Sequence, residues 1–255
     1  FAHGTFNVAN TVIQFPLIGA WAWLVTKLIP GEDVTIEYRP KHLDYHFIQQ
    51  SPSVAIGQAK EEVIRMGDFS VQGLSVTYDY LKTGEKKYAE TGYQIEDAIN
   101  NLDREITNYL IQVSSVSISP DESAHHVTLM ETVRDIERIG DHFENIIELI
   151  DYRDVNRVTL SEDAMDDLTE MFTLTIETVQ KAVQSLDLND MDLARTVTLK
   201  EDLIDKMERK FRKNHILRLN ERSCSPQAGM VFVDIVSNLE RIGDHAVNIA
   251  EAILG

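Results

Sequence analysis

From Ser51 onward the apolar residues fall three and four positions apart, the period of a helix with one buried stripe, and strand signals are absent. Ser51-Pro52, Ser119-Pro120, Ser161-Glu162 and Ser225-Pro226 each offer an N-cap hydroxyl, and three of them then place proline at the first helical position. Breaks fall at Lys82–Glu85, Val155–Thr159, Asp187–Asp190 and Ser223–Ser225. The pattern predicts helices over 52–81, 85–115, 120–152, 161–186, 190–221 and 226–254, an all-α fold.

The six helices form two triplets. ERIGDH occurs at Glu137–His142 and again at Glu240–His245, an offset of 103 (240 − 137). Second helices match at an offset of 105, with Glu96-Asp-Ala-Ile-Asn100 against Glu201-Asp-Leu-Ile-Asp205. First helices match only in length and amphipathic pattern. Duplication of a three-helix unit, 51–154 and 159–255, accounts for the matches. On the third helices the stripe reads Val133, Ile136, Gly140, Phe143, Ile147, Ile150 and then Val236, Leu239, Gly243, Ala246, Ala250, Ile253. Glycine inside a helix costs about 1 kcal/mol against alanine, so Gly140 and Gly243 predict close approach of a neighbouring helix.

The first thirty residues differ. Val8–Ile29 is a 22-residue, mostly apolar run with Trp21, Trp23 and Lys27 toward one end. That length predicts a membrane-spanning helix, and Lys27, Arg39, Lys41 and His42 after it place the C-terminal bulk in the cytoplasm. The alternative is a buried helix of a soluble protein, broken at Pro16. The chain opens at Phe1 rather than Met, so sequence upstream is expected. Asn7, Asn10 and Thr11 suggest neighbouring spans there.

Hydrophobic residues make up 43% of the chain and charged ones 26%, an ordinary folded composition. A formal charge of −18 argues against a nucleic-acid partner. The single cysteine, Cys224, excludes an intramolecular disulfide. No phosphate-cradling glycine loop, H-E-x-x-H or nucleophile elbow appears, so no enzyme is expected.

The acidic residues carry the candidate chemistry. Glu137 and Asp141 are four apart and share a helix face, as do Glu240 and Asp244, and Glu201 and Asp205 on the preceding helix. An antiparallel hairpin would set two such rows together, a concentration of like charge that hard or borderline multivalent cations neutralise. In the first copy Glu96 pairs with Asn100, which lacks the charge. The competing assignment is a solvated helix edge with Arg138 and Arg241 as partners. His142 and His245 point roughly 100° beyond the aspartates and are not expected as ligands. His42 and His46, four apart in the juxtamembrane stretch, are expected to be interfacial, and His125 and His126 to lie at the surface.

Two repeats carrying ERIGDH followed by N-I-x-E, with E-x-x-x-D on the helix before, resemble the PhoU family of phosphate-uptake regulators over about Ser51–Gly255. The resemblance implies a PhoU-like six-helix bundle whose acidic motifs (Glu96, Glu137, Asp141, Glu201, Asp205, Glu240, Asp244) bind multinuclear metal clusters of iron or zinc. Ala2–Thr11, the apolar span, Arg39–Asp44 and Ser51–Ala55 look like the junction in bacterial sodium/phosphate cotransporters, where a membrane domain precedes a PhoU-like domain. That second likeness implies sodium-dependent phosphate transport at the plasma membrane, with residues 1–30 the last membrane helix, 31–50 a juxtamembrane linker and 51–255 a cytoplasmic regulatory domain. Its partners would be inorganic phosphate, sodium and the upstream membrane domain. The substrate motifs would lie before Phe1, leaving Asn7 and Thr11 as weak substrate contacts. A dimer is left open. The alternatives are a PhoU-type regulator that is not a transporter, and a helical scaffold without metal.

Overall fold

The computed structural model describes residues 11, 15–17, 19, 36–221 and 224–254. The chain divides into two compact units, 1–35 and 36–255. In the first, Phe15–Leu17 form a single 3-10 turn. The expected membrane helix Val8–Ile29 lies almost wholly outside the described residues. Among those that are described, no helix is long and apolar enough to cross a membrane.

The second unit begins with a strap, residues 36–50, that ends in the short helix α1 (His46–Gln50). Six long helices follow: α2 (Pro52–Thr83), α3 (Lys86–Val113), α4 (Pro120–Val155), α5 (Glu162–Leu188), α6 (Met191–Asn220) and α7 (Pro226–Leu254). Their ends fall within a few residues of the sequence expectation because local chemistry sets them. Ser119 accepts the Glu122 N–H while the Glu122 carboxylate accepts the Ser119 N–H, a reciprocal cap. Ser161 and Ser225 accept from Ala164 and Ala228. Ser51 makes no such bond, and Pro52 alone marks the start of α2. Gly84 (φ 68°) and Asn189 (φ 51°) end α2 and α5 in the left-handed region, which these two residue types tolerate best.

Helices α2–α4 form one mutually packed triplet and α5–α7 the other. The triplets join through α2 against α5 and α4 against α7, while α3 and α6 pack within their own triplets at the outer edges. Phe143, Ile147 and Ile150 are fully buried on α4, as are Val236, Leu239 and Ala246 on α7. The two in-seam glycines do mark close approach. A Cβ on Gly140 would stand 3.3 Å from Ile99 of α3, and one on Gly243 3.2 Å from Ile204 of α6. Ile99 and Ile204 are themselves equivalent at the offset of 105 (204 − 99).

Candidate functional site

Each triplet brings its third helix against its second, so the carboxylate rows that lie far apart in sequence share a face. In the second repeat Glu201 of α6 is pushed up to about 7, first by burial and then by the charges of Asp205 and Asp244. Burial and Asp244 and Asp205 raise Glu240, and burial and Asp205 raise Asp244. These four acids therefore stand within electrostatic reach of one another, as the spacing predicts. Among the described residues, Arg209 meets Asp205 at 2.9 Å with its side chain 62% exposed, and Arg241 partly offsets the rise at Glu240 and Asp244. An ion pair at that exposure contributes little net attraction.

The first repeat builds its cluster differently. Glu96 is also pushed up to about 7, by burial and then by Glu144, Asp97 and Asp141, and Asn100 donates a hydrogen bond to its carboxylate. Burial and Asp141 raise Glu137. Glu144 is raised by burial, Glu148 and Asp141, and belongs to this cluster although the E-x-x-x-D pattern passes over it. Its counterpart is Val247 (144 + 103), whereas the counterpart of Asn100 is Asp205 (100 + 105). The carboxylate missing at Asn100 is thus supplied one helix over. The clusters include Glu96, Glu137, Asp141 and Glu144 in one repeat and Glu201, Asp205, Glu240 and Asp244 in the other, with Asp97 and Glu148 beside the first and Asp202 and Glu208 beside the second. The charge deficit at Asn100, set beside an acid that the second copy lacks, was the signal available in the sequence.

Between the clusters, on the α4–α7 seam, His142 and His245 stack with ring centroids 5.7 Å apart. His142 Nδ1 meets Asn238 Oδ1 at 2.9 Å, and His245 Nδ1 meets Asp135 Oδ1 at 2.8 Å. Asn238 and Asp135 are equivalent residues (135 + 103), so the contact is reciprocal. Burial, ahead of other causes, lowers the pKa of His142. Of the weaker candidates, Thr11 is exposed and Asn7 lies outside the described residues.

A two-repeat helical bundle with partly buried carboxylates clustered on each repeat defines the class of protein. The sequence profile of the PhoU domain matches residues 63–150 and 168–253, and the chain belongs to that family. It is 29% identical, over 76% of its length and 84% of the relative's, to the phosphate-specific transport system accessory protein PhoU homolog 1 of Thermotoga maritima. The PhoU homolog of Xylella fastidiosa is 25% identical over 82% of this chain and 86% of its own. The fold superposes on the crystal structure of PhoU from Pseudomonas aeruginosa with a TM-score of 0.74 at 18% identity, covering 83% of this chain and 97% of that one.

These matches correct the expectation of a sodium-dependent phosphate transporter at the plasma membrane. The cotransporter likeness rested mainly on residues 1–44, outside both matched segments, and the matched relatives bear the names of accessory proteins of a transport system. Among the described residues, no helix is long and apolar enough to cross a bilayer. The inner-membrane location and the sodium co-ion belonged to the transporter expectation and fall with it.

Proposed function

We propose that this chain is an accessory regulator of phosphate transport whose two carboxylate quartets hold multivalent cations. The paired quartets carry the proposal: eight acids, two of them with pKa near 7, are crowded into partly buried sites with only exposed arginines nearby. The donor set suits iron or zinc, and such a cation would reverse the local charge and supply Lewis-acid sites for phosphate or another oxyanion. Among the described residues, no three acids, cysteines or histidines are placed to hold an ion, so loading would require these carboxylates to move toward one another. Glu96, Glu137, Asp141 and Glu144 would hold the first load, and Glu201, Asp205, Glu240 and Asp244 the second. The Asn100 amide keeps Glu96 oriented, and Ile99 and Ile204 against the two glycines fix the helix spacing. The role is regulatory and not catalytic.

Elemental analysis of the purified full chain, before and after reconstitution with iron or zinc, tests this reading. Stoichiometric metal is expected, lost by about half in Glu201→Gln/Asp244→Asn, with phosphate retention in equilibrium dialysis following the metal content. A chain that takes up no metal under either condition overturns it.

A further inference from the structure

The two repeats differ in what lies on their outer grooves. Gly84 and Asn189, which end the first helices, and Lys86 and Met191, which begin the second, share one offset of 105 (189 − 84 and 191 − 86). The α2–α3 face of the first repeat therefore corresponds to the α5–α6 face of the second, residue by residue.

In the first repeat that face is covered by the strap. Ile36 and Ile48 are buried on it. Arg65 of α2 donates to the carbonyls of Glu37 and Arg39, and Asn101 of α3 donates to the carbonyl of Tyr38 at 2.7 Å. The fully buried Glu62 accepts the N–H groups of Lys41 and His42 at 3.0 Å each. The Tyr109 hydroxyl donates to the Asp44 carbonyl.

In the second repeat the same face is an open groove of about 620 Å³. Leu174 and Met207 occupy the positions of Phe69, whose ring Arg65 covers, and of the buried Leu102, and Leu203 is 48% exposed beside them. Glu170 stands where Arg65 does (65 + 105), and Lys206 where Asn101 does (101 + 105). Asp166 and Glu170 line the α5 wall, and Lys206 and Lys210 the α6 wall. None of these four makes an ion pair among the described residues, although Lys210 lies over the Phe211 ring. Glu170 cannot donate to carbonyls as Arg65 does, so a copy of the strap itself does not fit.

We propose that the α5–α6 groove docks a linear segment of a partner protein. That segment sets an apolar side chain over Leu174, Leu203 and Met207, basic groups toward Asp166 and Glu170, and acidic groups toward Lys206 and Lys210. It lies over the part of the face where Arg65 and Asn101 hold the strap in the first repeat, and the apolar floor between walls of opposite sign fixes its orientation. Docking here does not depend on cations in the carboxylate quartets, which lie on the faces where α3 meets α4 and α6 meets α7.

Panning a displayed peptide library against the full chain tests the assignment. Enriched peptides are expected to share an apolar residue flanked by basic and acidic positions, and synthetic versions to bind at least about tenfold more weakly to Lys206→Glu/Lys210→Glu. Lys213→Glu, exposed on α6 and outside the groove, is expected to bind as the parent does. Adding Glu170→Lys to the double variant should recover binding of peptides with the two charges exchanged. The substituted residues are at the surface, and matched melting curves establish that each variant is folded; Lys206→Glu alone serves if the double variant is not. Failure to enrich any sequence, or equal binding by the double variant, overturns the proposal. So does self-association of the parent that the double variant abolishes, which would make the occupant a second copy of this chain.

Discussion

The two repeats solve the same packing and charge problems with different residues. Against the third helix, the first repeat sets Gly73 beneath Phe143, where a Cβ would lie only 2.5 Å from the ring. The second repeat has Thr178 (73 + 105) and Ala246 (143 + 103) at those positions, the large residue on the opposite helix. Asn100 with Glu144 against Asp205 with Val247 is the same exchange in charge. At these crossings the duplicated bundle keeps the summed charge of the pair and moves the bulkier side chain to the opposite helix, without keeping either residue.

The largest break in that comparison is Phe143→Ala. It should cost about 3–5 kcal/mol by emptying a fully buried ring site, read as a loss of chemical stability in urea. Adding Gly73→Thr, which copies the second repeat, should recover part of that loss. Ala246→Leu, with Thr178 left in place, should overpack and cost about 1–3 kcal/mol.

Charge exchange gives the next effect, and its sign follows from linkage. Glu96 and Glu201 have folded pKa values near 7, above the ordinary 4.5, so the folded state binds more protons between those limits. Metal-free protein should therefore be most stable below about pH 4.5 as far as these groups are concerned, and lose that contribution as pH rises through 7. Melting temperature against pH, in chelator, checks the slope. Glu201→Gln should flatten it and raise the melting point at pH 8 by roughly 2–4 °C, the change that about 1 kcal/mol produces in a domain of this size. Loading with metal should reverse the ranking of parent and variant.

Glu144→Gln and Asp205→Asn sharpen the comparison further. If the two acids play matching parts, each should lower metal content in its own repeat to a similar degree and leave the other repeat unchanged. A Glu144→Gln protein that keeps its full metal complement would show the first repeat to be a three-acid site. The smallest effect is expected at the histidine stack. Asp135→Asn makes the two ends alike and should cost about 0.5–1.5 kcal/mol through the weakened bonds from His245 and Asn248.

Most of the bundle was legible because its determinants are local. The reciprocal cap at Ser119, the left-handed stop at Gly84 and the three-and-four spacing each act within a few residues. The E-x-x-x-D rows were legible for the same reason, since one helical turn relates their members. Glu144 was not, because its partner Glu96 is on another helix and only the crossing brings the two together. The register of the first helices was equally hidden. It rests on Gly84 against Asn189, different residues that share a backbone conformation and not an identity. Residues 36–50, expected as a linker, pack on α2 and α3 through backbone carbonyls and N–H groups, which carry no side-chain signature. The transporter expectation came from an apolar run and a short likeness before residue 56, weighed above a doubled motif that the bundle alone explains.

The arrangement of α3 and α6 at opposite edges has a thermodynamic corollary. Each outer helix can shift against its own third helix without touching the other triplet, so the two sites should fill as nearly independent events, described by two separate constants and not by a cooperative isotherm. The triplets meet along α2–α5 and α4–α7, with the stacked imidazoles on the latter seam, so any interaction energy measured between the sites should shrink when both rings are removed.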